Sequence, residues 1–92
     1  MATYSLYEYG TLTPWGEPVE PPFLVTAGLS SGSAKALNAA TVYFKVIPDA
    51  DVYLRVGSST VTATTTDRKL VANYGGGAVV PQGGGCYIYV AV

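Results

Sequence analysis

The alternation of apolar and polar residues predicts β-strands along most of the chain. From Phe23 onward, apolar positions recur every second residue, and no window of helical length repeats them at three- and four-residue spacings. The alternation is clearest in residues 41–47 and 51–56. The predicted inward positions of these two segments are Val42, Phe44, Val46, Val52, Leu54 and Val56. The pattern therefore indicates an all-β protein.

The two clearest segments flank Pro48-Asp49-Ala50, a sequence that favours a turn. Proline suits the second position of a type I turn, so we expect a hairpin within one sheet. The expected register pairs Val46 with Val52, Phe44 with Leu54, Val42 with Val56, and, on the outer face, Lys45 with Tyr53 and Tyr43 with Arg55.

Turn-forming residues divide the rest of the chain into short segments. Further strands are predicted at 23–27, 34–37, 68–72 and 86–92, and a strand or extended loop at 61–66. A loop is predicted at 28–32, with breaks at Gly75-Gly76-Gly77 and at 81–85. About seven short strands in one small chain predict a compact antiparallel β-sandwich, of the jelly-roll or immunoglobulin-like (Ig-like) type.

Residues 1–22 differ in composition from residues 23–92. Four of the six prolines and the single tryptophan, Trp15, lie in the first 22 residues. Proline fixes φ and biases the preceding residue towards extended structure. We therefore expect an edge strand at Tyr4–Tyr9 followed by an extended Pro-rich N-terminal arm, with the β-sandwich domain at 23–92.

Length and charge restrict the classes of function. A chain of 92 residues allows one small domain. Charged residues make up 12% of it, against about 25% in typical globular proteins. The formal net charge of −1 gives no electrostatic support for binding nucleic acid or an anionic membrane. We expect neither partner.

The start of the chain and its cysteine content indicate synthesis in a reducing cytoplasm. The first residues lack the basic start and long apolar run of a secretion signal, and no segment has the roughly 18–20 apolar residues that span a bilayer. Cys86 is the only cysteine, so no internal disulfide can form.

The residues needed for catalysis or metal binding are sparse. Histidine is absent, and Cys86 falls on the inward face of its predicted strand. Asp49 and Asp51 are too few to form a calcium loop, and we expect them in a turn. Neither glycine triplet is followed by Lys-Ser/Thr and a helix, as a phosphate-binding loop requires. We therefore expect no enzyme, no cofactor and no metal site.

Aromatic residues are the most informative surplus, with eight tyrosines and one tryptophan. Tyrosine suits both protein interfaces and sugar stacking, although it also occupies ordinary half-exposed sheet faces. Trp15 either anchors a neighbouring protein or folds back over its own sandwich. The candidate interface residues are Tyr4, Tyr7, Tyr9, Trp15, Tyr43, Tyr53, Tyr87 and Tyr89.

The middle of the chain carries a recognisable series of short motifs. The run 31–41 precedes a strand, an acidic turn, a second strand and Gly57, and Thr62-Ala63-Thr64 and Leu70-Val71-Ala72 follow. This series resembles the small accessory virion proteins of tailed bacteriophages over about half of the chain. Their pattern has proline where this chain has Val61 and Val71.

The resemblance implies a structural virion protein without catalytic residues. The expected role is that of a capsid decoration, or cement, protein on the capsid surface, where it stabilises contacts between capsomers. The implied partners are the major capsid protein and further copies of the chain, as a homo-oligomer (trimer or dimer) at local symmetry axes. The alternatives are a glycan- or receptor-binding module of a head or tail fibre, and a head-to-tail or tail structural component.

Overall fold

The computed structural model describes residues 2–80 and 86–92, and strands are its only extended regular elements there. The strands are β1 Thr3–Tyr9, β2 Leu24–Ser30, β3 Ala34–Ala36, β4 Tyr43–Pro48, β5 Val52–Gly57, β6 Arg68–Leu70, β7 Gly76–Val79 and β8 Tyr87–Ala91. The described part contains no helix, which confirms the all-β prediction for it. The predicted break at 81–85 lies outside the described residues.

The strands form two four-stranded antiparallel sheets. Sheet I has the order β2-β1-β4-β7, and sheet II has the order β3-β8-β5-β6. Their inner faces pack together in a sandwich-like arrangement around one core. The core residues are Ala2, Tyr4, Leu6, Leu37, Phe44, Val46, Val52, Leu54, Leu70, Cys86, Ile88 and Val90.

Four of the six predicted inward positions are confirmed as buried, at Phe44, Val46, Val52 and Leu54. Val56 packs against the core partly buried, and Val42 precedes β4 and is half-buried outside the core cluster. The predicted hairpin between β4 and β5 is wrong. Phe44 and Val46 belong to sheet I, whereas Val52 and Leu54 belong to sheet II. The chain crosses from one sheet to the other between Pro48 and Val52. Such a crossing buries the same alternate residues as a hairpin, so the burial pattern does not distinguish the two connections.

A pair of residues holds the crossing in place. The Asp49 carboxylate accepts hydrogen bonds from the Thr3 amide at 3.0 Å and from the Thr3 hydroxyl at 2.9 Å. The Asp49 amide in turn donates to the Thr3 carbonyl at 3.0 Å. These bonds attach the connection after β4 to the start of β1.

The strand predicted near the N-terminus is confirmed, but the prediction that it lies at the edge of a sheet is wrong. β1 lies between β2 and β4 and pairs with both. Leu6 at its centre is fully buried. Position at the start of a chain does not determine position in a sheet. The alternation of Tyr4 and Leu6 determines only which face of β1 is buried; pairing with both β2 and β4 makes the strand interior. Residues 1–22 therefore supply an interior strand.

Other predicted boundaries also change, and one open alternative is decided. β2 continues through the predicted loop as far as Ser30. Residues 61–66, predicted as a strand or an extended loop, form no strand. The predicted break at the first glycine triplet is confined to Gly75, because β7 begins at Gly76. Gly75 has a φ of +64°, and a Cβ there would collide with the Val46 carbonyl oxygen. The triplet thus permits a close approach of two chain segments.

Candidate functional site

The connection between β1 and β2 folds into a short hairpin, named here the Trp15 hairpin (residues 11–19). Leu12 and Pro18 face each other across it as an isolated antiparallel bridge. Because backbone contacts join its two sides, the segment is a closed loop. This corrects the expectation of an extended arm, which rested on the proline content alone.

The tip of the Trp15 hairpin is a tight turn whose residues suit it. The Gly16 amide donates to the Thr13 carbonyl at 3.0 Å, and the Thr13 amide donates to the Glu17 carbonyl at 2.7 Å. Pro14 occupies the second position, where its fixed φ is favourable. Gly16 has a φ of +83°, which residues with a side chain rarely adopt. This turn holds Trp15 at the tip.

Trp15 is the most exposed of the large apolar side chains described, with 86% of its surface accessible. It does not fold back over its own sandwich, which answers the question that the sequence left open. Burial of a tryptophan covers roughly 150–250 Å², worth on the order of 4–6 kcal/mol at about 25 cal/mol per Å². A preformed turn also lowers the entropy cost of binding.

The base of the Trp15 hairpin is fixed to the outer face of sheet I through Tyr9. The Tyr9 hydroxyl donates to the Glu20 carboxylate at 3.2 Å. Its ring meets that of Tyr43 edge to face, with centroids 6.0 Å apart and planes at 74°. Burial first, and the Glu20 carboxylate second, raise the pKa of Tyr9. The hairpin is thus attached to a rigid strand.

The chain segment that carries Trp15 has only acidic ionisable side chains. Within residues 10–23 the ionisable side chains are Glu17 and Glu20, and neither lysine nor arginine occurs there. The Tyr9 hydroxyl engages Glu20, whereas Glu17 lies exposed two residues from Trp15. A complementary partner would offer an apolar pocket with a basic rim.

The predicted interface tyrosines do not form one surface. Three lie on the outer face of sheet I or its end (Tyr7, Tyr9 and Tyr43), and three lie on the outer face of sheet II (Tyr53, Tyr87 and Tyr89). The two outer faces point in opposite directions. Tyr7, Tyr43, Tyr53, Tyr87 and Tyr89 are half-buried.

Two of the candidate tyrosines are buried. Tyr4 is 3% exposed and lies in the core, and Tyr9 is 2% exposed beneath the segment that follows β1. The expectation that they contact a partner is corrected accordingly. Tyr4 shares the inward face of β1 with Leu6, whereas Tyr9 is covered by residues folded over the outer face.

Sequence reasoning missed an aromatic residue at the other end of the molecule. Tyr74 is 79% exposed, and Val71 beside it is 50% exposed. Both lie in the β6–β7 connection, which leaves the sheets at the end opposite the Trp15 hairpin. The sequence does contain a signal for this exposed tyrosine, because Tyr74 lies between Asn73 and Gly75, two residues that favour turns.

The remaining polar groups of interest have structural partners. Glu8 is 1% exposed and accepts hydrogen bonds from the Asn38 amide at 2.7 Å and the Thr41 hydroxyl at 2.8 Å. It therefore joins β1 to the β3–β4 connection. Cys86 is a free, buried thiol, and burial raises its pKa.

Two further features are absent from the described ranges. Residues 2–80 and 86–92 contain no cluster of three or more potential metal-binding side chains. Those same ranges hold no helix of the length and apolarity needed to cross a bilayer.

Comparison with known proteins adds no relative. No protein-family model, curated protein or solved structure matches the chain. Function is therefore inferred from the residues and from the geometry of the Trp15 hairpin.

Proposed function

We propose that this chain is a structural virion protein of a tailed bacteriophage. It acts as a capsid decoration protein, binding the major capsid protein on the outside of the head and stabilising contacts between capsomers. The observation that carries the proposal is Trp15, which is 86% exposed on a closed, anchored turn. A large apolar side chain that a hydrogen-bonded turn holds in water is suited to insertion into a pocket of a partner.

The surroundings of Trp15 supply further contact area. A standard protein contact buries about 800 Å² on each partner, so one side chain is a hot spot and not a complete interface. Val19, at the end of the Trp15 hairpin, is 41% exposed, and Phe23, directly before β2, is 49% exposed. The low content of charged residues also limits the cost of removing water from such a contact.

The strand orders support the proposal at the level of fold. If the strands are counted from β2 and β1 is placed after β8, the strand orders of the two sheets are those of an eight-stranded jelly roll. The two ends of the chain lie beside the same connection: the Ser31 amide donates to the Ala2 carbonyl, and the Gly32 amide donates to the Val90 carbonyl. Jelly rolls recur in viral capsid and lectin domains, which makes this support an analogy.

A second candidate, a glycan-binding module, is favoured by a different observation. Arg55, Ser58 and Thr60 contribute to an open depression with a volume of about 410 Å³. The β5–β6 connection that contains it leaves the sheets at the same end as the Trp15 hairpin. Hydroxyl and guanidinium donors in a depression, at the end of the molecule that also carries an exposed indole ring, are suited to a sugar.

Binding to phage heads tests the proposal. Wild-type protein is mixed with expanded heads of the parent phage that lack it, and co-sedimentation is measured. Removal of residues 1–22 would delete β1, so the informative change is Trp15→Ala, with Tyr74→Ala as the control at the opposite end. We expect Trp15→Ala to weaken binding at least about 30-fold, or roughly 2 kcal/mol.

The outcomes separate the two candidates. Equal binding by wild-type protein and Trp15→Ala would contradict the role of the hairpin. Failure of the wild-type protein to bind heads, together with binding to a defined sugar on a glycan array, would replace decoration by glycan recognition.

A further inference from the structure

β2 is an edge strand of sheet I with one side free. It spans Leu24–Ser30 and, within the part of the chain that the structure describes, pairs only with β1. It contains no charged residue and no proline. The free side of an edge strand presents unpaired N–H and C=O groups, which form a template for another strand.

The other three edge strands of the described sheets are shorter and carry features that oppose pairing. β3 has three residues with Lys35 at its centre, and β6 contains Arg68 and Lys69. The Arg68 guanidinium reaches β7 and donates to the Gly77 carbonyl at 2.8 Å. Charged side chains at a sheet edge discourage the addition of a strand. β7 has no charged residue of its own, but it has only four residues, and Arg68 contacts its Gly77 carbonyl. β2 is the longest of the described edges and has no charged residue.

Exposed apolar side chains concentrate at the start of β2. Phe23 is 49% exposed, Leu24 38% and Val25 50%. Because successive side chains of a strand point to opposite faces, these residues offer apolar surface above and below the sheet. The pairing with β1 shifts by one residue between Leu29 and Thr26, so the regular stretch of this edge is its first half.

We infer that β2 pairs with β2 of a second copy of this chain in an antiparallel, two-fold dimer. The pairing joins two four-stranded sheets into one sheet of eight strands. It provides hydrogen-bond partners for the unpaired N–H and C=O groups of both edge strands at once. An even register with Val25 opposite Val25 of the second copy keeps outer-face residues opposite each other. The inference does not depend on binding to any capsid.

The absence of charge in β2 points to a second copy and not to a strand of another protein. In a two-fold dimer, β2 of one copy pairs with the identical β2 of the other copy. A charged residue near the axis would therefore lie close to the same charged residue of the second copy, and the two would repel each other. An uncharged strand avoids this repulsion. A strand from a different protein would place no such restriction on the sequence.

Disulfide trapping tests the proposed register. Directly opposite residues of antiparallel strands have Cα atoms about 4.5–5.5 Å apart, within the range that a disulfide spans. We expect Val25→Cys to form a covalent dimer under mild oxidation. Val71→Cys, equally exposed at 50% but outside the strands, should stay monomeric. The native Cys86 is buried with a raised pKa, so it should not interfere.

Sedimentation velocity over a range of concentrations tests the dimer itself. We expect the wild-type protein to form dimers, and Val25→Lys to raise the dissociation constant at least about tenfold. Val71→Lys should leave the dissociation constant unchanged, and circular dichroism should confirm that both variants fold. A monomeric wild-type protein would overturn the inference. Equal weakening by both lysine variants, or a dimer that Val25→Cys fails to trap, would also overturn it.

Discussion

The hydroxyl of Tyr9 donates a hydrogen bond to the carboxylate of Glu20 at 3.2 Å, joining the last residue of β1 to the segment that returns towards β2. The Trp15 hairpin lies between these two residues. Removing the hydroxyl while keeping the ring, in Tyr9→Phe, should lower the free energy of unfolding by roughly 0.5–1.5 kcal/mol. Urea denaturation measures this, and Tyr74→Phe, at an exposed ring, should cause no loss. Equal values for the two variants would contradict the anchoring role.

The same tyrosine predicts a loss of stability at alkaline pH. Burial raises the pKa of both Tyr4 and Tyr9, so the folded state favours their neutral forms. Their contribution is fully present below the unfolded-state pKa, about 10, and is lost as pH rises through the raised folded-state pKa. Denaturation measured across this range should show a smaller alkaline loss in the variant with Tyr4→Phe and Tyr9→Phe. Parallel curves for variant and wild type would refute the assignment.

The two phenylalanines of the chain offer a matched test of the core. Phe44 is fully buried between the sheets, whereas Phe23 is 49% exposed. Phe44→Ala should lower the free energy of unfolding by roughly 3–5 kcal/mol, because it leaves a cavity. Phe23→Ala should cost less than about 1 kcal/mol. If thermal unfolding gave the same melting temperature for both variants, the packing of the sheets would be wrong.

Two glycines with positive φ should respond differently to alanine. At Gly75 a Cβ would collide with the Val46 carbonyl oxygen, so the backbone of β4 must move. At Gly16 no atom lies within 4 Å of such a Cβ, and only the conformational cost of about 1–2 kcal/mol applies. We expect Gly75→Ala to be the more destabilising change in urea denaturation. The reverse order would contradict the close approach of β4 and β7.

The alternation of residues predicted which side chains enter the core, but not which strands pair. Phe44 and Leu54 are buried as expected, yet they belong to different sheets. A hairpin and a crossing between sheets expose and bury the same residues, and the difference depends on contacts such as Asp49 with Thr3, which are 46 residues apart. Long-range contacts of this kind leave no local pattern.

The candidate site was predicted in its tryptophan but not in its turn or its exposure. The proline content predicted an extended arm, whereas Pro14 and Gly16 form a tight turn around Trp15. Whether the indole ring packs on its own sheet depends on what covers that sheet. Tyr9 shows the same limit, since its burial arises from the residues near Glu20 and not from the alternation of β1.

Imaging of intact phage particles at side-chain resolution tests the central claim most directly. The account predicts that density for this protein lies on the outer surface of the head, between capsomers, with the Trp15 side chain buried against the capsid protein. Density on the tail or a fibre, or a Trp15 side chain that remains in solvent on the assembled head, would contradict it.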